Sequence, residues 1–149
     1  MTDVVDKEKR SQMMAAIKGK NTKPEMSLRT ELHRLGFRYR LHSKLMIGQP
    51  DLVFPRFRAA VFVHGCFWHR HPKCRHATTP KTRESFWFNK FQSNINRDGV
   101  VRKRLLAEGW RIAVVWECAL RRKGSAQIAA SQLAKWLESD VPELEIGDT

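Results

Sequence analysis

The apolar positions of the chain predict two buried strands. Residues 59–63 read Ala-Ala-Val-Phe-Val, and residues 110–116 read Trp-Arg-Ile-Ala-Val-Val-Trp. Short apolar runs of this kind are typical of strands that are covered on both faces of a sheet. We therefore expect both stretches to lie inside the sheet of an α/β domain.

The residues around the first of these strands predict a hairpin. Residues 50–54 form one arm and residues 58–64 the other, and the turn between them contains Pro55 and Arg56. Turn residues between two β-prone runs are typical of antiparallel neighbours. Upstream, residues 37–41 alternate apolar and basic side chains, which indicates a half-buried strand.

Three segments space their apolar residues as helices do. Residues 22–35 have Thr22 or Asn21 as a cap, a proline in the first turn and Gly36 as a stop signal. Residues 84–107 follow a helical period with an expected break near Gly99, and residues 125–138 form the last helix. The alternation of helices and strands predicts an α/β domain with a mixed central sheet. The inward-facing residues are Leu28, Leu32, Leu35, Phe91, Ile95, Val101, Leu105, Ile128, Leu133, Trp136 and Leu137.

The charge balance points to a polyanionic partner. The chain has 28 Lys and Arg against 15 Asp and Glu, which gives a net charge of +13. Five of the acidic residues lie between positions 138 and 148, where no basic residue occurs, so the rest of the chain is more basic still. A surplus of this size favours nucleic acid as the ligand before a membrane surface.

The chain has no segment that predicts membrane insertion. No apolar run approaches the ~20 residues of a membrane-spanning helix, and residues 1–14 lack the apolar core of a signal peptide. We expect a soluble, cytoplasmic protein with one hydrophobic core and, without surplus apolar surface, a monomer. Residues 11–17 predict a short helix that either packs on this core or reaches the nucleic acid.

Cysteine and histidine crowd the segment that follows residues 59–63. Three cysteines cannot all pair, and in a reducing compartment such a set binds metal more often than it forms disulfides. Zinc is the natural occupant, in a structural role because four protein ligands leave no open position. Two alternatives remain, with His76 in place of His71 or with thiols that only pack as small apolar groups. The expected ligands are Cys66, His71, Cys74 and Cys118.

Further acidic and imidazole side chains near the predicted strand ends suit phosphodiester hydrolysis. This reaction requires a hard cation held by oxygen ligands and a base that activates water. Asp51 offers the oxygen, and a histidine offers the base. Structural alternatives exist, since Asp51 can cap the turn after Pro50 and His64 can be a core histidine. Asp98 can be a solvated helix residue, and Glu25 can serve only the helix dipole. The candidates are Asp51, His64, His69, Glu25 and Asp98.

The run Val-Phe-Val-His-Gly-Cys-Phe-Trp-His at residues 61–69 resembles the very-short-patch repair (Vsr) endonucleases of bacteria. Pro50-Asp51 before it and Trp-Glu-Cys-Ala-Leu at residues 116–120 strengthen the resemblance, which covers nearly the whole chain. It implies a restriction-endonuclease-like fold of the PD-(D/E)xK type. It also implies an enzyme that nicks DNA 5′ to the thymine of a T·G mismatch, the lesion left when 5-methylcytosine deaminates.

The resemblance also implies a role for each candidate. Asp51 and the main-chain carbonyl of Val63 would hold Mg²⁺. His69 would be the general base, oriented by Asp98, and Glu25 and His64 would act around metal and water. Phe67, Trp68 and Trp87 would form a wedge that enters the base stack beside the mismatch, and Met14 would enter from the other groove.

The implied organisation is a DNA-contacting arm at residues 1–22, an endonuclease domain at residues 23–138 and an acidic tail at residues 139–149. The expected partner is double-stranded DNA with a T·G mismatch, with mismatch-repair proteins as further candidates, and the expected location is the bacterial nucleoid. Two other readings compete. One is a restriction-type nuclease with a different DNA target, and the other is a zinc-stabilised DNA-binding module without catalysis.

Overall fold

Five strands and three α-helices form the part of the chain that the structure, a computed structural model, describes, residues 21–147. Short 3₁₀ turns at Pro55–Phe57 and Glu117–Leu120 follow two of the strands. The elements in chain order are α1 (Lys23–Arg34), β1 (Arg40–Leu41), β2 (Leu52–Phe54), β3 (Ala59–His64), α2 (Glu84–Ala107), β4 (Arg111–Trp116), α3 (Ser125–Leu137) and β5 (Glu143–Ile146).

The strands form one mixed sheet in the order β1-β2-β3-β4-β5. β2 pairs antiparallel with β1 on one side and with β3 on the other, and β3, β4 and β5 run parallel. Val61 pairs with Leu52 on one side and with Ala113 on the other. The predicted hairpin of β2 and β3 is confirmed, as are the mixed sheet and the α/β class.

The sheet is covered on both faces. Ala59 and Val61 of β3 join the larger core with Leu28 of α1 and Leu133 of α3. The alternate residues of the same strand, Ala60 and Phe62, pack against Val101 and Leu105 of α2. The unbroken apolar run therefore corresponds to a strand between two layers of helix.

Three local predictions were wrong. Helix α2 continues through Gly99, because a glycine costs only about 1 kcal/mol in a helix whereas burial of each large apolar side chain beyond it contributes about 1.5–3 kcal/mol. Leu35, Ile95 and Ile128 are exposed rather than inward-facing. Strand β1 is only two residues long, since Tyr39 instead packs its ring on Phe54 and donates its hydroxyl to the carbonyl of Arg29.

The acidic segment after residue 138 contributes a strand to the sheet. Glu143–Ile146 pairs with β4, and Ile146 is buried. Arg102 of α2 forms a two-point ion pair with Glu143. Residues 143–146 therefore belong to the sheet and not to a tail, because their alternating apolar side chains fit a strand edge despite the charge.

The expected DNA-contacting arm, including Met14 and the short helix at residues 11–17, lies outside the described residues apart from its last two positions. Of the two predicted caps, Thr22 is the N-cap of α1, and its hydroxyl accepts a hydrogen bond from the main-chain nitrogen of Glu25. Among residues 21–147, no helix combines the length and apolar character needed to cross a membrane.

Candidate active site and thiolate centre

The antiparallel hairpin places a carboxylate against the end of β3. Oδ2 of Asp51 accepts a hydrogen bond of 2.7 Å from the main-chain nitrogen of Val63. Burial raises the pKa of Asp51 to about 7, the Val63 bond opposes the rise, and the Glu25 carboxylate adds to it. The surrounding side chains thus supply too little positive charge to keep Asp51 fully ionised. A divalent cation would supply that charge, so the oxygen donors fit a hard ion such as Mg²⁺.

Glu25 faces the same position from the first turn of α1. Its side chain is buried, and its Oε2 lies 2.8 Å from Nε2 of His42 and 3.0 Å from Nη1 of Arg29. Ligand atoms of Glu25, His42 and Asp51 all lie within 4.8 Å of one another. Three elements far apart in sequence therefore converge on one potential cation site.

His42 was not among the candidates from the sequence. It follows the alternating segment that becomes β1, and its main-chain nitrogen donates to the carbonyl of Asp51. The pairing of β1 with β2 places position 42 opposite position 51. The β1–β2 register could have revealed His42 as a candidate. The sequence does not predict this register, because β1 is only two residues long.

A second cluster joins the end of β3 to the middle of α2. Nδ1 of His69 lies 2.7 Å from Oδ2 of Asp98. The rings of His64 and His69 stack with centroids 3.8 Å apart and planes 3° from parallel. Burial, helped by the neighbouring His69, lowers the pKa of His64 to about 3, so that its imidazole is neutral. Asp98, which could have been an ordinary helix residue, thus contacts an imidazole whose other nitrogen remains available.

A single cleft of about 640 Å³ connects the two clusters. Lys90 and Arg97 also line it, which favours a phosphate-bearing ligand. All five candidates from the sequence line this cleft: Glu25, Asp51, His64, His69 and Asp98.

The three cysteines meet one histidine in a separate cluster. Their sulfur atoms and the His71 nitrogen lie within 4.8 Å of one another. Nδ1 of His71 is 3.4 Å from Sγ of Cys118 and 3.7 Å from Sγ of Cys66. Burial raises the pKa of Cys66 to about 12, so a bound cation would be needed to keep this one thiol ionised. The donor set fits tetrahedral zinc, with His71 rather than His76 as the nitrogen ligand.

Aromatic and main-chain contacts fix His71. Its ring stacks on Trp116 with centroids 4.3 Å apart and planes 11° from parallel. Gly147, directly after β5, approaches the same ring, since a Cβ at this position would lie 2.8 Å from Nε2 of His71. A glycine is therefore needed at position 147 to let the backbone approach this closely.

The three predicted wedge residues contact one another, and Trp68 also lines the cleft. Ring centroids of Phe67 lie 5.0 Å from Trp68 and 5.6 Å from Trp87, and the two indoles are 5.9 Å apart. All three side chains are only partly buried. The side-chain amide of Asn94 donates to the carbonyl of Trp68 and ties this segment to α2. The group therefore presents a partly exposed aromatic surface beside the carboxylates and imidazoles.

Comparison with known proteins finds relatives over most of the chain. A family model described as DNA mismatch endonuclease Vsr matches residues 2–76. The chain is 46% identical over 127 residues to type II nicking enzyme V.XorIIP of Xanthomonas oryzae pv. oryzae, covering 85% of the chain and 93% of that protein. Identity to DNA mismatch endonuclease Vsr of Escherichia coli is 39% over 139 residues, covering 92% and 88%. Identity to type II nicking enzyme V.NmeAIP of Neisseria meningitidis is 38% over 141 residues, covering 95% and 100%.

Proposed function

The chain belongs to the DNA mismatch endonuclease family Vsr, and we propose that it uses Mg²⁺ to nick one DNA strand 5′ to the thymine of a T·G mismatch. Such mismatches arise when 5-methylcytosine is deaminated. Relatives named as nicking enzymes support cleavage of a single strand. The observation that carries the proposal is the convergence of Asp51 and the His69–Asp98 pair on one cleft.

Asp51 and the main-chain carbonyl of Val63 would hold Mg²⁺, with Glu25 beside them. When bound, this ion would neutralise the charge that develops on the phosphate and on the leaving oxygen. Two observations support this assignment. Asp51 and Glu25 line the same cleft, and burial raises the pKa of Asp51. A bound cation stabilises the ionised form of such a buried carboxylate.

His69 would accept the proton of the attacking water. Asp98 occupies its Nδ1, which fixes the ring and leaves Nε2 for the water. The new bond forms between the water oxygen and phosphorus, the bond to the leaving oxygen breaks, and the proton passes to Nε2. His64 remains neutral in its stacked position, so that it does not repel His69 when His69 becomes cationic.

The thiolate centre would bind zinc in a structural role. Four protein donors leave no position for a substrate. The zinc would join the loop after β3 to the turn after β4, and thereby hold the segment that carries His69. We also assign the sheet and its helices to the restriction-endonuclease-like fold.

Phe67, Trp68 and Trp87 would enter the base stack beside the mismatch, with Met14 in the opposite groove. Opening a base step costs about a few kcal/mol and less at a mispair, so a wedge discriminates through the deformability of the DNA. The net charge of +13 would provide phosphate contacts without sequence information. We expect a monomer in the bacterial cytoplasm, with mismatch-repair proteins as candidate partners.

A panel of labelled duplexes tests this function. Wild type with Mg²⁺ should nick a T·G duplex on the thymine strand and leave the matching T·A duplex intact. Asp51→Asn, or chelation of Mg²⁺, should abolish the nick. Equal cleavage of both duplexes would instead indicate a nuclease with another target. Binding without cleavage of any duplex would indicate a zinc-stabilised DNA-binding module.

A further inference from the structure

His42 contacts both acidic residues of the candidate cation site. Its Nε2 lies 2.8 Å from Oε2 of Glu25, and its main-chain nitrogen donates to the carbonyl of Asp51 at 3.0 Å. The side chain is only 10% exposed. One residue thus contacts Glu25 through its ring and Asp51 through its backbone.

The backbone at this residue is strained. His42 has φ +43°, a left-handed conformation that only glycine adopts without cost. Strain of this kind persists where the surrounding structure holds a residue in place, and it concentrates at functional sites. The position is occupied by a bulky side chain that makes a specific polar contact, and not by a glycine.

The Glu25 carboxylate is engaged at both oxygens. Oε2 also contacts Nη1 of Arg29, and Oε1 accepts from the main-chain nitrogen of Asn21 at 3.3 Å. Arg29 lies one turn beyond Glu25 on α1 and Asn21 lies just before the helix, whereas His42 approaches from the strand side. Without His42, the side-chain contacts that remain would hold Glu25 only from its own helix and the residue before its N-cap.

We propose that His42 is a positioning residue of the cation site, whose Nε2–H orients the Glu25 carboxylate towards Asp51 so that both serve one divalent cation. The proposal rests on the proposed function, because it assigns Glu25 and Asp51 to the same ion. It requires a side-chain hydrogen-bond donor at position 42 that is long enough to contact Glu25, and it does not require a charged imidazole.

Two substitutions separate the effect of side-chain length at position 42 from the effect of its left-handed backbone conformation. His42→Gln keeps a long side chain with an amide donor. His42→Asn keeps a residue that tolerates the left-handed conformation, but its amide is too short to reach Glu25. His33→Ala is the matched control, since His33 is an exposed histidine on α1. His42→Leu, which retains bulk without a donor, repeats the comparison if the asparagine variant does not fold.

The readout is Mn²⁺ binding to the zinc-loaded full chain, measured by electron paramagnetic resonance, with the melting temperature of each variant recorded beside it. We expect His42→Asn and His42→Leu to bind Mn²⁺ about tenfold more weakly or worse, and His42→Gln and His33→Ala to bind as wild type does. Unchanged affinity in His42→Asn would overturn the proposal. Equal loss in His42→Gln would also overturn it, in favour of the imidazole as a direct ligand.

Absence of Mn²⁺ binding by the wild type would overturn the proposal as well, since there would be no ion for the carboxylates to share. Failure of the proposed function gives a different result. It would appear as a wild-type protein that does not nick T·G duplexes, whatever the Mn²⁺ affinities of the His42 variants.

Discussion

Nδ1 of His69 lies 2.7 Å from Oδ2 of Asp98, although the two residues are 29 positions apart. One follows β3 and the other lies in the middle of α2. The contact exists because α2 runs unbroken across the sheet and packs Val101 and Leu105 on it. An imidazole fixed through Nδ1 presents Nε2 in one orientation, as a general base requires.

Loss of the Asp98 carboxylate should slow the chemical step. We expect Asp98→Asn to lower the single-turnover nicking rate by about 10²-fold, since positioned acid–base groups contribute about 10²–10⁴-fold. DNA affinity should change little. Asp140→Asn, at an exposed position beyond α3, is the control. An unchanged nicking rate in Asp98→Asn would show that the Asp98 carboxylate is not needed to orient His69.

Removal of a thiolate ligand should remove zinc. Cys118→Ser and His71→Ala should each lose stoichiometric zinc and lower the melting temperature by roughly 10 °C, because metal binding contributes directly to folding. Mass spectrometry of the metal content and calorimetry measure the two effects. His76→Ala should keep its zinc, since His76 is not part of the donor group. Zinc loss in His76→Ala but not in His71→Ala would reverse the ligand assignment.

Two glycine substitutions should have opposite effects on stability. A Cβ at position 147 would lie 2.8 Å from Nε2 of His71, so we expect Gly147→Ala to destabilise the fold by about 1–3 kcal/mol. Gly99 lies inside α2 with nothing within 4 Å of a new Cβ. Gly99→Ala should therefore stabilise the fold by about 0.5–1 kcal/mol. Urea denaturation of both variants measures the difference. An unchanged free energy of unfolding in Gly147→Ala would show that the backbone at position 147 moves to make room for the methyl group.

The aromatic group should contribute mainly to binding of the mismatch. We expect Trp87→Ala to weaken binding to a T·G duplex by about tenfold, since base–aromatic stacking is worth about 1–3 kcal/mol. Binding to a T·A duplex should change much less. Phe88→Ala is the matched control on the same helix, because Phe88 is 63% exposed. Fluorescence anisotropy without divalent cation measures all three proteins, and equal losses on both duplexes would argue against a wedge.

The central hairpin and the helices could be predicted because their signals are local. The apolar run at residues 59–63 and the proline turn after Phe54 indicate their structure without help from the rest of the chain. The predicted break in α2 was wrong. Burial of the apolar side chains beyond Gly99 stabilises the helix by more than the glycine destabilises it. Strand β5 was missed because its acidic composition hid the alternation that fits it to a sheet edge.

The candidate site also contains residues that could be predicted from local sequence and one residue that could not. Residue type and motif placed Asp51, His69 and the cysteines among the candidates, and the fold brings each set together. His42 could not be found from its neighbours. Its contact with Glu25 depends on the pairing of two short strands and on the position of α1, which are tertiary facts.

The most direct test of the central claim is a double-mutant cycle on Asp51 and His69, read as the single-turnover nicking rate on a T·G duplex at saturating protein. If both groups act on the same phosphate, Asp51→Asn and His69→Ala should each reduce the rate by about 10²-fold or more, and the double variant should be little slower than the slower single variant. Losses that multiply fully in the double variant, or a single variant that nicks at the wild-type rate, would contradict it.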